Sequence, residues 1–316
     1  MKDSGVDPIL LDAGDALFEN YYLINGKVAS SKLKAKTILE STAKMGDYIY
    51  NVGYQDLAAG FEFIKEMEAS YGTQYVSSNI LKAGTDELAF NPHRIIKRGE
   101  LNIGIFGLTT KLPSSVKEIT VKDYIQTAKE KIAELRPQVD VLVMLLNATR
   151  IENIDATNDF AGVDYIFSSR ETTRTRPETV KNTGEPMSYC FGIQGKYIAR
   201  FDVNISDKGK EIKDITAPLM TASFFEKGLN NLQKRDPDKP LEKIYQNNPN
   251  VLKMVQQYKQ GLVESNSSLA NVPNRSFYTL IPLNGGVASE KNLLAVVDQT
   301  LKTCNTLDKE GTINLN

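Results

Sequence analysis

The sequence predicts a layered α/β domain followed by a mainly helical extension. From Pro8 to about Asp214, short β-rich runs alternate with amphipathic stretches whose apolar residues fall three or four apart, as βαβ units require. Beyond residue 217 two helical stripes replace that alternation. The chain has 316 residues and 41% hydrophobic content, enough to bury a sizeable core.

The elements follow in order. Strands are expected at Pro8–Ala13, Tyr48–Val52, Tyr75–Asn79, Leu101–Thr109, Val141–Leu146 and Val163–Ser168, where apolar and β-branched residues cluster between turn formers. Helices are expected over Ser31–Met45, Leu57–Tyr71 and Val121–Leu135. PMSYCFG and YIARFDVNIS then read as sequential strands, and KGKEI is a polar turn before KDITAPLM, so a meander should close the domain. In the extension Phe225, Leu229 and Leu232 mark one stripe, and Val251, Val255, Tyr258 and Leu262 mark another. RDPDKP breaks them apart, which predicts an antiparallel helical hairpin. SFYTLIPL is expected as an edge strand, because Pro282 cannot donate to a ladder, and Glu290–Lys302 as a final short helix. The expected division is 1–217 for the α/β domain and 218–316 for the extension.

Composition narrows the function classes. With 38 basic and 39 acidic residues and no long run of either sign, the chain carries no footprint for nucleic acid or an anionic membrane. No apolar run approaches the roughly 20 residues that span a bilayer, and no signal-peptide core follows Met1. Cys190 and Cys304 make neither a disulfide framework nor a Cys-x-x-Cys site. Histidine, the commonest transition-metal ligand, occurs once, as His93 in FNPHRII, where a surface or packing role is expected.

Ligands of open α/β sheets gather beyond the carboxyl ends of strands, which here carry DAGDALFEN, NVGYQDLAAG, LLNATRIEN and FSSRETTRTRP. The phrases LLDAGD, MGDYIYNVG, YVSSNIL, LNIGIFGLTT, DVLVMLL, GVDYIFSS and GKYIARFDV, from about Ile9 to Ile205, resemble the catalytic domain of the 5′-nucleotidase group of calcineurin-like metallophosphoesterases. The resemblance implies a four-layer αββα sandwich with two divalent metals at the strand ends, clamping phosphate and a bridging water. It also implies export to the periplasm or cell surface.

The chemistry of that site is largely replaced. Asp15 matches the bridging aspartate, but the family's first-strand Asp-x-His has no counterpart, the chain starting at what resembles the second strand. The Gly-Asn-His-Glu loop reads Gly53-Tyr54-Gln55-Asp56, the fourth-loop histidine is Asn147, and Gly-Gly-His-Ser-His reads Ser168-Ser169-Arg170-Glu171-Thr172. Amide oxygens are poor transition-metal ligands, and Arg170 places a fixed charge where the family places a cation. The resemblance therefore implies a catalytically silent binding or scaffolding module with no resident cofactor, the helical extension supplying a protein interface. Two alternatives stand beside it: a metal-dependent phosphoesterase with a reduced oxygen-rich site, and a structural subunit of a surface assembly. In the first, Asp15 and Asp56, joined by Asp12 and Glu19, would hold Mg²⁺, Mn²⁺ or Ca²⁺; Asp15 is otherwise a turn or cap residue. Arg170, Arg174 and Arg176 form a candidate anion site for phosphate or a nucleotide, or else pair with Glu171 and Glu178.

Overall fold

The computed structural model describes residues 6–153, 157–180 and 186–313. The chain divides into two compact units. The first comprises Met1–Arg174, Glu185–Lys196 and Pro282–Asn316, and the second Thr175–Gly184 and Tyr197–Ile281.

The first unit opens with β1 (Leu10–Asp12), α1 (Val28–Ala43), β2 (Tyr48–Asn51), α2 (Phe61–Tyr71), β3 (Gln74–Val76), β4 (Ile80–Lys82) and β5 (His93–Arg98). It continues through β6 (Leu101–Thr109), β7 (Ile119–Val121), α3 (Tyr124–Leu135), β8 (Val141–Asn147), α4 (Arg150–Asn153), β9 (Tyr165–Ser169) and β10 (Met187–Cys190). The second unit holds β11 (Tyr197–Ile205), β12 (Lys213–Asp214), α5 (Thr216–Gln233), α6 (Leu241–Ile244), α7 (Pro249–Leu269) and β13 (Asn274–Pro282). The chain then rejoins the first unit as α8 (Lys291–Ile313).

Local chemistry sets several of these limits. The Asp123 carboxylate accepts the Gln126 amide at 2.7 Å and starts α3 three residues later than its apolar pattern does. Gly60, at φ 90, divides the expected Leu57–Tyr71 helix into a short 3₁₀ turn and α2.

Two sheets form the heart of the first unit. One runs β1-β2-β3, all parallel; the other runs β10-β9-β8-β6-β5, parallel except for the β5–β6 pair. Every residue of β8 is buried, as expected for a parallel strand covered on both faces. On one outer side, Ala35 and Leu39 of α1 and Ile64 and Met67 of α2 pack with Tyr50 and Tyr75. On the other, Ala128, Ile132 and Leu135 of α3 pack with Phe106, Leu142, Met144 and Ile166. Between them β2 lies against β6 and β8, and the Asn51 amide donates to the Leu108 carbonyl at 3.0 Å. This is the αββα sandwich. Among the described residues no helix is long and apolar enough to cross a membrane.

Long-range pairing departs from the expected meander. β10 joins β9 in parallel, Met187 opposite Tyr165, with Tyr189 stacked on Tyr165 at 6.4 Å, so it extends the main sheet. β11 belongs instead to the second unit's sheet, ordered β11-β13-β12. β13 is therefore central rather than an edge strand; Pro282 is its last residue and interrupts nothing inside the ladder. KDITAPLM contributes two strand residues and then opens α5.

The division expected at residue 217 differs from the observed one as well. α8 outruns the short helix expected and packs on α1, where the Thr37 and Thr300 hydroxyls meet at 3.0 Å and Cys304 is buried beside the Ser30 carbonyl. Cys190, the other cysteine, is buried too, and the two form no disulfide.

The second unit contains the antiparallel hairpin. Gly228 of α5 receives the ring of Tyr258, and Gly261 of α7 receives the ring of Phe225, a reciprocal pairing that only opposed helix directions allow. Gly261→Leu is expected to lower stability by about 1–3 kcal/mol through overpacking against Phe225, outweighing leucine's better helix propensity. Urea denaturation checks it, and a stabilised variant would refute the close packing.

Candidate functional site

The carboxyl ends of β1, β2, β6, β8 and β9 bring five loops of the first unit together. The loop after β1 turns through Gly14 and places Asp15 at φ 70, a left-handed conformation uncommon for a side-chain-bearing residue. Asp15 accepts the Gln55 amide on Oδ1 at 2.6 Å, and its own N–H donates to Asp56 Oδ2 at 2.8 Å. Gly53 makes this approach possible: a Cβ there would lie 2.6 Å from the Asp15 nitrogen and 2.8 Å from Asn147 Nδ2.

Asp56 is fully buried and ties the loops of β1 and β2 together. Its Oδ1 accepts the Tyr50 hydroxyl at 2.6 Å and the Leu17 amide at 3.1 Å; its Oδ2 accepts the Asp15 and Gly53 amides, both at 2.8 Å. Asn147 links β8 to both neighbouring loops, accepting the Tyr54 amide at 3.0 Å and donating to Ser169 Oγ at 2.7 Å. The Ser169 hydroxyl in turn donates to the Ala13 carbonyl at 2.8 Å.

Arg170, at φ 62, turns its guanidinium into the middle of the rim, where the side chain is only 10% exposed. Nη1 lies 3.2 Å from both Thr110 Oγ1 and Glu152 Oε2, and Nε lies 3.9 Å from Asp15 Oδ2. Two cations lie over the Tyr54 ring, Arg170 Cζ 5.0 Å and Lys111 Nζ 5.3 Å from its centroid. Lys111 also reaches Glu152 Oε1 at 3.2 Å.

Burial dominates the carboxyl groups' electrostatics. It raises Asp15 to about 7, helped by the charge of Asp56 and opposed by hydrogen bonds from Asn147 and Gln55 and by the charge of Arg170. It raises Asp56 to about 6 against the Tyr50 hydroxyl and three backbone amides. Desolvation also pushes Glu152 upward, but the Thr149 amide, the Thr110 hydroxyl and the Arg170 charge prevail and hold it at about 2. Glu152 is therefore the ionised partner of Arg170 at neutral pH.

The remaining residues singled out in the sequence fall elsewhere. Asp12 accepts the Gly14 amide at 2.8 Å and the Tyr48 hydroxyl at 2.9 Å, and Glu19 is exposed. Thr172 is exposed; Arg174 ends a segment of the first unit, and Arg176 lies in the second. His93 sits on β5 with Nδ1 3.7 Å from Glu134, and burial lowers its affinity for a proton. Glu152, Lys111 and Thr110 escaped sequence reasoning. A signal for Glu152 was present, because Thr149-x-x-Glu152 is a capping box: the Thr149 amide donates to Glu152 Oε2 at 2.8 Å and the Glu152 amide donates to Thr149 Oγ1 at 3.4 Å.

These donors do not fit a pair of divalent cations. Asp12 and Asp56 have both oxygens engaged, Asn147 offers its oxygen to Tyr54, and the one buried carboxylate oxygen here without a hydrogen bond, Asp15 Oδ2, faces a guanidinium.

No family model and no curated protein matches the sequence. Solved structures do. The calcineurin-like phosphoesterase YfkN from Bacillus subtilis matches at a TM-score of 0.58 and 14% identity, over 95% of this chain and 85% of its own. A 5′-nucleotidase precursor from Thermus thermophilus matches at 0.53 and 19% identity, over 65% of this chain and 43% of its own. The sulfate thiohydrolase SoxB from Thermus thermophilus matches at 0.54 and 17% identity, over 64% and 37%. The chain thus spans about two-fifths of each Thermus protein. At these identities the likeness establishes the fold, that of calcineurin-like phosphoesterases and 5′-nucleotidases.

Proposed function

We propose that this chain, built on the calcineurin-like phosphoesterase fold, is catalytically silent toward phosphoesters and acts as a binding or scaffolding module of the cell envelope. One observation carries the silent reading: the guanidinium of Arg170, its side chain only 10% exposed, lies 3.9 Å from Asp15, the carboxylate that a catalytic cation would need, and is held there by Glu152 at 3.2 Å. A divalent ion beside it would meet a fixed like charge in a poorly solvated site. The α5–α7 hairpin supports the binding role, since Met220, Phe224 and Val263 expose large apolar side chains.

Hydrolysis of p-nitrophenyl phosphate and AMP with added Mn²⁺, Mg²⁺ or Ca²⁺ tests the proposal. Turnover is expected to equal that of an Asp15→Ala control, and calorimetric titration with the same ions is expected to give no binding heat. Chelator-sensitive turnover that Asp15→Ala abolishes would establish the phosphoesterase alternative instead. Phosphate and AMP belong in thermal melts of the same protein: a rise in melting temperature lost in Arg170→Glu and Arg174→Glu would add an anion ligand to the binding role.

A further inference from the structure

We infer that Arg170 is the built-in cation of the rim, a positioning residue whose guanidinium holds the five strand-end loops in register through Asp15, Glu152, Thr110 and Tyr54. The inference rests on the silent reading above and assigns the retained site an internal occupant.

The geometry distributes one flat cation over several loops. Its Nε faces the loop after β1, its Nη1 bonds the loops after β6 and β8, and its Cζ lies over the ring from the loop after β2. A guanidinium can serve those directions at once because its donors are fixed in a planar fork, whereas an ammonium is a point charge. The conformational cost points the same way. A left-handed arginine is sterically disfavoured, so the surrounding contacts must over-determine it. Removing the side chain would leave Glu152 ionised with Lys111, whose side chain is 49% exposed, as its nearest cation, and would leave Asp15 Oδ2 facing the vacated volume.

The truncated rim should therefore accept a small soluble cation that the intact rim excludes. The test is thermal melting of wild type, Arg170→Ala and Arg170→Lys, each with sodium chloride or the same concentration of methylguanidinium chloride. Arg170→Ala is expected to melt several degrees lower, as loss of one partner of a partly buried pair implies, with Arg170→Lys between it and wild type. Methylguanidinium should raise Arg170→Ala saturably and leave wild type unchanged. Equal melting of Arg170→Ala and wild type, or equal shifts of both with methylguanidinium, would overturn the inference. Where Arg170→Ala does not fold, Arg170→Lys combined with Glu152→Gln decides. Non-additive losses are expected, and strict additivity would overturn the pairing. Chelator-sensitive hydrolysis by wild type alongside methylguanidinium rescue would remove the silent reading but leave this one standing. No hydrolysis together with no rescue would do the reverse.

Discussion

Asp56→Ala is expected to destabilise the first unit by on the order of 4–5 kcal/mol, because four donors, three of them in buried bonds, lose their acceptor together. The Tyr50 hydroxyl and the amides of Asp15, Leu17 and Gly53 all converge on this carboxylate. That loss approaches the whole stability of many domains, so the variant should accumulate poorly and show an early urea transition. A loss below about 1 kcal/mol would mean that water replaces the carboxylate and that it does not organise the rim.

The same carboxyl sets a pH dependence whose sign follows from its shift. Its affinity rises from 3.8 to about 6 on folding, so between those values the folded chain holds the proton more tightly than the unfolded chain. Stability contributed by this group is therefore present at low pH and declines as pH rises from about 4 toward 6; Asp15 contributes the same sign. Glu152, held at about 2 against an ordinary 4.5, contributes oppositely: its stabilisation is present above pH 4.5 and is lost as pH falls toward 2. Urea denaturation of wild type and Asp56→Asn across this range isolates the first effect. The wild-type advantage should shrink as pH rises, and a widening advantage would contradict the burial argument.

Gly53→Ala is the second large effect, expected at about 3 kcal/mol. The added methyl would press on Asp15 and on the Asn147 amide, so relief requires moving the loop after β1 or β2. Both are tied to Asp56, which leaves little room for either to move. Denaturation gives the magnitude, and amide exchange gives the location: protection should fall at Asp15, Tyr54 and Gln55. A neutral substitution would show that the approach of the two loops is looser than their hydrogen bonds indicate.

Sequence periodicity read the scaffold well where structure is local. Leu101–Thr109 forms a strand over the whole span its apolar run suggests, and the Phe225 and Val251 stripes form the opposed helices. Pairing between distant segments was not legible. Nothing near β10 or β11 in sequence reveals that one joins β9 and the other β13, since strand neighbours depend on which edges remain free after collapse. Sequence shows Gly53 only as the first residue of a loop, yet what it permits is the approach of Asp15 and Asn147 from loops far away in the chain.

The sequence by itself determined which chemical groups the rim carries: one bridging-type aspartate, amides in place of imidazoles, and an arginine among hydroxyls. Only the tertiary structure decided what those groups are free to do, by engaging both oxygens of Asp56, fixing Glu152 as an anion and seating Arg170 between it and Asp15. Side-chain identity and periodicity are properties of neighbours along the chain. Lone-pair occupancy, desolvation and charge pairing depend on distances between loops that are remote in sequence and meet only at the strand ends.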